Sequence, residues 1–309
     1  TVALNDLTGT AGVVQFSGQL QGATLSGTVI QPDGQAQALV LNRTAVAKED
    51  ETPKAEKPSY VSAVTYPNQA FGVSKPAVQQ NVHIKNATVW TSDKAGKLEN
   101  TDILVADGKF VEIGKNLKTP SGYTVIDATG MHVTPGIIDE HSHIAIEAGV
   151  NEGSDSVTSE VAIGDVITPD DINIYRGLAG GTTTAQLLHG SANSIGGQAQ
   201  VIQLRWGVTP DELKFKGAPA SIKFALGENV KQSNWGDNHT SRYPQSRVGV
   251  ETTIREAFQA AKEYKAAWAA YNKLSGSEKK RVVPPRVDYR LQTLVEILDK
   301  KRFIHTHSY

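Results

Sequence analysis

Two histidines two positions apart, His141 and His143, follow the run Ile137-Ile138-Asp139-Glu140. Alternate side chains of a strand share a face, so the two imidazoles can meet on one cation. An isolated His-x-His pair is more often two surface histidines than a metal site, but the preceding Pro135-Gly136-Ile137-Ile138-Asp139 gives this pair the setting of a buried strand end. Three further segments carry groups able to join them. Lys223 sits among apolar neighbours in Ile222-Lys223-Phe224-Ala225-Leu226, and Glu228 follows where that strand gives way to a loop. His305 and His307 share one face of Phe303-Ile304-His305-Thr306-His307, and His189 ends the run Leu187-Leu188. Each has a plain structural alternative: Lys223 paired to a carboxylate away from any site, Glu228 capping a turn, His189 as a satisfied loop histidine, and His305 and His307 as a frayed end. His83, His132 and His239 lack ligand spacing and read as structural or exposed. Gly196-Gly197-Gln198 reads as a tight loop with positive φ.

Composition limits the chemistry. With no cysteine, any metal must be held by His, a carboxylate or a modified Lys. Lys plus Arg number 31 against 32 Asp plus Glu, with no block of one sign, which argues against a nucleic-acid backbone or an anionic membrane surface as partner. A small, uncharged or zwitterionic substrate fits better. No apolar run reaches the length of about 18 residues that would suggest a membrane span. The first residue is Thr, so any signal peptide has been removed or was never included; a periplasmic or secreted location is placed ahead of a cytoplasmic one.

The elements that must position these groups follow from the patterning. Residues 1–45 alternate apolar and polar positions between glycines, with a turn at Pro32-Asp33-Gly34, and predict a β-meander belonging to another β module. Residues 46–80, charged and Pro-containing at their start, are expected to be a linker. Residues 81–134 predict a small β-sandwich region built of hairpins. From 135 to 309 strands alternate with helices, which predicts an α/β fold of βα units around a parallel sheet. Thr168-Pro169-Asp170-Asp171 predicts a helix start with Thr168 as N-cap, Glu251 to Lys273 a long amphipathic helix, and Leu291 to Leu298 a last one.

The segment Pro135-Gly136-Ile137-Ile138-Asp139-x-His141-x-His143 resembles the opening of the amidohydrolase superfamily, imidazolonepropionase-like subgroup. The likeness continues through Gly181-Thr182-Thr183-Thr184, Gly190 to Gln198, Leu226 to Lys231, and Ile304-His305-Thr306-His307. It covers roughly residues 81–309, and residues 1–60 match nothing in the family. The resemblance implies a (β/α)8 TIM-type barrel of which about the first five strands are present, with metal ligands at the C-terminal strand ends. His141 and His143 would bind the more buried metal, Lys223 (carboxylated) or Glu228 would be the next ligand, and His305 a further one. His189 and His307 would contact substrate. One or two divalent ions, zinc first among them, would activate a water to hydrolyse an amide, peptide or cyclic amide. The proton-transferring aspartate expected on the eighth strand has no counterpart here. The remainder of the barrel is therefore expected from the same protein or a second chain. The competing reading is a barrel without catalysis that serves as a binding or scaffolding protein.

Overall fold

The structure, a computed structural model, describes residues 2–5, 13–42, 64–75, 77–236 and 241–308. The chain divides into two compact units, Thr1–Ser62 and Ala63–Tyr309. In the first, β1 (Val2–Asn5), β2 (Val13–Gln21), β3 (Thr24–Ile30) and β4 (Ala36–Asn42) form an antiparallel sheet in chain order. Gly34, at φ +84°, closes the turn between β3 and β4, where the Asp33 carboxylate accepts from the Gln35 amide. Residues 46–63 and 76 of the expected linker lie outside the described residues, as does His239.

Within the expected linker, one described stretch is paired. Residues 64–75 form a small hairpin in which Tyr66 pairs with Val73. Trp206 Nε1 donates to the Phe71 carbonyl at 2.7 Å, and the Phe71 ring stacks on Tyr175 at 4.5 Å. These aromatic contacts tie the hairpin to α1 and to the segment after β13.

Strands β5 (Val82–Trp90), β6 (Lys97–Ala106), β7 (Lys109–Gly114), β8 (Thr124–Asp127) and β9 (His132–Val133) make one sheet, ordered β7-β6-β5-β8 with β9 also on β5. The expectation of hairpins alone is corrected in one respect: β8 and β9 pair with β5 in parallel. The described strands enclose a core of Ala87, Val89, Ile103 and Ala128. Phe110 and Val111 of β7 remain exposed.

The remaining elements are β10 (Ile137–Ser142), α1 (Ile172–Ala179), β11 (Thr182–Leu187), β12 (Ile195–Gln198), β13 (Gln200–Gln203), α2 (Pro210–Leu213), β14 (Ser221–Ala225), α3 (Arg247–Lys273), α4 (Gly276–Lys279), α5 (Tyr289–Leu298) and β15 (Phe303–His307). β10 and β11 pair in parallel, as do β14 and β15. Between these pairs runs the segment 195–203, whose first half (β12) lies antiparallel to β14 and whose second half (β13) lies antiparallel to β11. Five parallel strands were expected; four run that way. Residues 188–194 are too few for the dozen or so that a parallel crossover needs, so the chain must turn back on itself.

Other sequence expectations shift for local reasons. α1 begins at Ile172 rather than after Thr168, because Asp171 is the N-cap: its carboxylate accepts from the Asn173 amide at 2.9 Å and from the Ala145 amide at 2.7 Å. Thr168 instead donates to Glu147. Gly196 and Gly197 lie inside β12 without positive φ. They allow close approach: a Cβ on Gly196 would stand 2.8 Å from His189 Nδ1, and one on Gly197 would stand 2.8 Å from Val161 Cγ2. Gly136 likewise lets the entry to β10 press on Thr183, whose hydroxyl a Cβ would overlap.

These strands form two three-stranded sheets, β10-β11-β13 and β12-β14-β15, each covered by an apolar cluster. Ile174 of α1 packs with Ala185, Leu187, Ile202, Leu204 and Trp206. Ile222 and Phe224 of β14 pack with Ile195, Ala261 of α3 and Leu294 of α5. The outer strands β10 and β15 keep apolar side chains in the open, Ile138 at 67% and Phe303 at 61% exposure. Among the described residues no helix is long and apolar enough to cross a membrane.

Candidate metal centre

Strand alternation in β14 sends Ile222 and Phe224 to the helices and Lys223 to the opposite face, where it is 1% exposed. Its Nζ lies 3.1 Å from His141 Nε2. No carboxylate among the described residues forms an ion pair with it. A buried ammonium without a counter-charge is costly, and burial holds the Lys223 pKa below the ordinary lysine value.

The imidazoles gather around this contact. The His141 and His143 ring centroids are 5.2 Å apart, and those of His141 and His307 are 5.8 Å apart. His143 Nδ1 lies 2.9 Å from the Leu188 carbonyl, which can only accept, so Nδ1 carries the proton and the ring lone pair sits on Nε2. His307 Nδ1 lies 2.6 Å from the Ser191 hydroxyl. Partial loss of hydration lowers the His141 pKa, with Lys223, His143 and His307 adding to the effect and Asp139 opposing it. Neutral imidazole is the form that binds a metal.

The other expected site residues separate into distinct surroundings. Glu228 is partly exposed, with its carboxylate engaged by Lys231 and by Arg247 at 3.3 Å. His305 aligns with Lys223 in the β14–β15 register, one layer below His307, which aligns with Ala225 at the strand ends. The histidine of this strand whose ring meets His141 is therefore His307. His189 is 1% exposed and both of its nitrogens are occupied: Nε2 accepts from the Glu152 amide at 2.8 Å, and Nδ1 donates to the Gly190 carbonyl at 2.9 Å. Its pKa is lowered by burial, against the opposing pull of the Gly190 carbonyl and Glu152. As it stands, that ring is a brace rather than a pocket wall. His83 and His132 lie in the β5–β9 sheet, as their lack of ligand spacing predicts.

Sequence reading passed over two groups. Arg242 Nη1 donates to the Gly153 and Asp155 carbonyls and to Asn193 Oδ1, and Nη2 donates to the Ala192 carbonyl, all at 2.8–2.9 Å. It clamps the loop after β10 to the loop after β11. Ser191 is the other. A signal for it lies in the run Gly190-Ser191-Ala192-Asn193-Ser194, small and polar residues directly after an apolar strand.

Among the described residues, no three His, Asp or Glu side chains converge closely enough to hold a metal by themselves. The donor set at His141 and His143 is completed only if the lysine contributes. An ammonium cannot coordinate, but a neutral amine or its carbamate can, and the side chain already reaches His141.

No family model matches the sequence. The amidohydrolase tasK of Hapsidospora irregularis is 28% identical over 213 residues, 58% of this chain and 21% of that protein. The D-hydantoinase of Geobacillus stearothermophilus is 38% identical over 103 residues, 33% of this chain and 18% of that protein. A dihydroorotase of Geotalea daltonii is 40% identical over 83 residues, 26% of this chain and 19% of that protein. This chain thus spans about a fifth of the length of these relatives. The crystal structure of an amidohydrolase from Thermotoga maritima matches at a TM-score of 0.63 and 31% identity, over 73% of this chain and 57% of that one.

Proposed function

Because this chain belongs to the amidohydrolase superfamily, we propose that it carries the first ligands of a divalent-metal centre that hydrolyses a C–N bond in a small amide, peptide or cyclic amide. The observation that carries this reading is the approach of the buried Lys223 amine to His141 Nε2, 3.1 Å, beside His143 and His307. His141, His143, His307 and Lys223 would hold the ion, with zinc expected first and Lys223 serving as its carbamate. Glu228, tied to Lys231 and Arg247, is set aside as a ligand. A divalent ion held there supplies a water of lowered pKa and a Lewis acid for the scissile carbonyl.

The chain's own residues do the rest of the work assigned to it. Leu188 fixes the His143 tautomer, and Arg242 holds the loops that border the histidines. The exposed apolar side chains of β10 and β15 support a reading in which the remainder of a barrel would join at these strands and would bring the proton-transferring aspartate. Relatives named dihydroorotase and D-hydantoinase favour a cyclic amide within the substrate class.

In the intact protein, His141→Ala should remove a metal equivalent and abolish hydrolysis while leaving the melting transition largely in place. Unchanged metal content by elemental analysis would overturn the assignment.

A further inference from the structure

We propose that Ser191 is a positioning residue of this centre: its hydroxyl accepts from His307 Nδ1–H and so fixes the ring that faces His141. The proposal rests on the metal-centre reading above. The two atoms are 2.6 Å apart, and the residues are 116 apart in sequence, so the contact exists only because the loop after β11 meets the end of β15.

That loop is held from several sides. Gly190 donates its amide to the Val150 carbonyl at 3.2 Å, and Asn193 Nδ2 donates to the Glu152 carbonyl and to Thr158 Oγ1. Arg242 takes the Ala192 carbonyl and Asn193 Oδ1, and the Ser194 carbonyl accepts from the Ala225 amide at 3.3 Å, beside the His307 register position. Ala192, Asn193 and Ser194 are all buried. A hydroxyl presented from so restrained a backbone can hold an imidazole in one orientation, which a mobile serine could not do.

The neighbouring residues show the same device. Leu188, three positions earlier on the same connection, accepts from His143 Nδ1 at 2.9 Å. One short stretch, residues 188–191, therefore supplies the outer partners of two histidines that come from different places in the fold, one directly after β10 and one at the end of β15. A carbonyl can only accept, which fixes the His143 tautomer; a hydroxyl can do either, and in the proposed arrangement Ser191 accepts from Nδ1–H, which would leave the His307 ring lone pair on Nε2.

Zinc affinity of the intact protein, measured by competition with a chromophoric chelator, tests this. Ser191→Ala is expected to weaken zinc binding by about 10- to 100-fold, the usual cost of removing an outer partner of a ligand. Ser191→Thr, which keeps the hydroxyl, should stay near the parent, and circular dichroism melts should confirm that both variants fold. Ser191→Ala combined with His307→Ala should bind zinc no more weakly than His307→Ala alone, because the serine acts through that ring. Parent-like affinity in Ser191→Ala, equal losses in the Thr and Ala variants, or multiplying losses in the double variant would each overturn the proposal. His141→Ala separates the two levels: if it loses zinc while Ser191→Ala does not, only the positioning role falls. If His141→Ala retains zinc, the metal reading falls and takes this proposal with it.

Discussion

Lys223 and His141, 82 residues apart in sequence, meet with 3.1 Å between Nζ and Nε2 on the side of β14 opposite the helices. The lysine is buried and its partner is an imidazole, not a carboxylate. Such a placement works against the stability of the metal-free fold, and a functional demand on the amine gives a reason for it.

Lys223→Met should raise the stability of the metal-free protein at neutral pH by about 1–4 kcal/mol, the range found when buried ionic groups give way to apolar ones. Burial lowers the folded-state pKa of this lysine, so its cost is complete below that pKa and fades as pH rises through it toward the unfolded-state value. The stability gap between variant and parent should shrink accordingly in denaturation curves taken at increasing pH. The same substitution should abolish metal binding. Lys223→Ala should regain part of its activity with acetate or propionate supplied in place of the carbamate, whereas Glu228→Gln should keep its metal. A metal-replete Lys223→Met protein would return the ligand role to Glu228.

Asp102 gives a pH dependence of the opposite sign. Its carboxylate is buried in the β5–β9 sheet, where it accepts from the Asn86 and Leu117 amides, both at 2.9 Å, with His83 Nε2 at 3.7 Å. Burial pushes its pKa up, but those amides together with His83 and Lys85 hold it below the ordinary aspartate value. The stability it confers is thus present above the unfolded pKa of about 3.9 and is lost as pH falls through the folded one. Asp102→Asn should cost about 1.5–3 kcal/mol at pH 7, the range for hydrogen bonds to a charged group, with a smaller deficit in strong acid. Urea denaturation at the two pH values checks this, and a deficit that does not change with pH would remove the carboxylate's charge from the account.

Arg242 should tolerate no cation of a different shape. Its guanidinium reaches four acceptors in two loops, and a lysine ammonium cannot span that fork. Both Arg242→Lys and Arg242→Ala should therefore destabilise the protein, the alanine by about 2–4 kcal/mol through stranded carbonyls, and should open residues 150–160 to limited proteolysis. A lysine variant as stable and as protease-resistant as the parent would show that the clamp is incidental.

Some of this centre could be read from the chain itself. His141 and His143 share a face by the period of a strand, whatever surrounds them, and the Ile-Ile run before them marks that strand as apolar. The two helices around Phe258 and Leu294 follow from their apolar spacing for the same reason: periodicity is local. The different surroundings of Lys223 and Glu228 are not local. They depend on which side chain the β14 pleat turns toward β10 and on the lysine's reach along that face, while Lys231 and Arg247 engage the glutamate. His305 and His307 are equivalent by alternation. Only the pairing of β15 with β14, which sets His305 beside Lys223 and His307 beside Ala225, placed the second ring next to His141. The antiparallel course of 195–203 and the hold of Ser191 on His307 belong to tertiary structure as well. Both depend on how many residues join one strand to the next and on what that connection meets, and neither carries a period in the sequence.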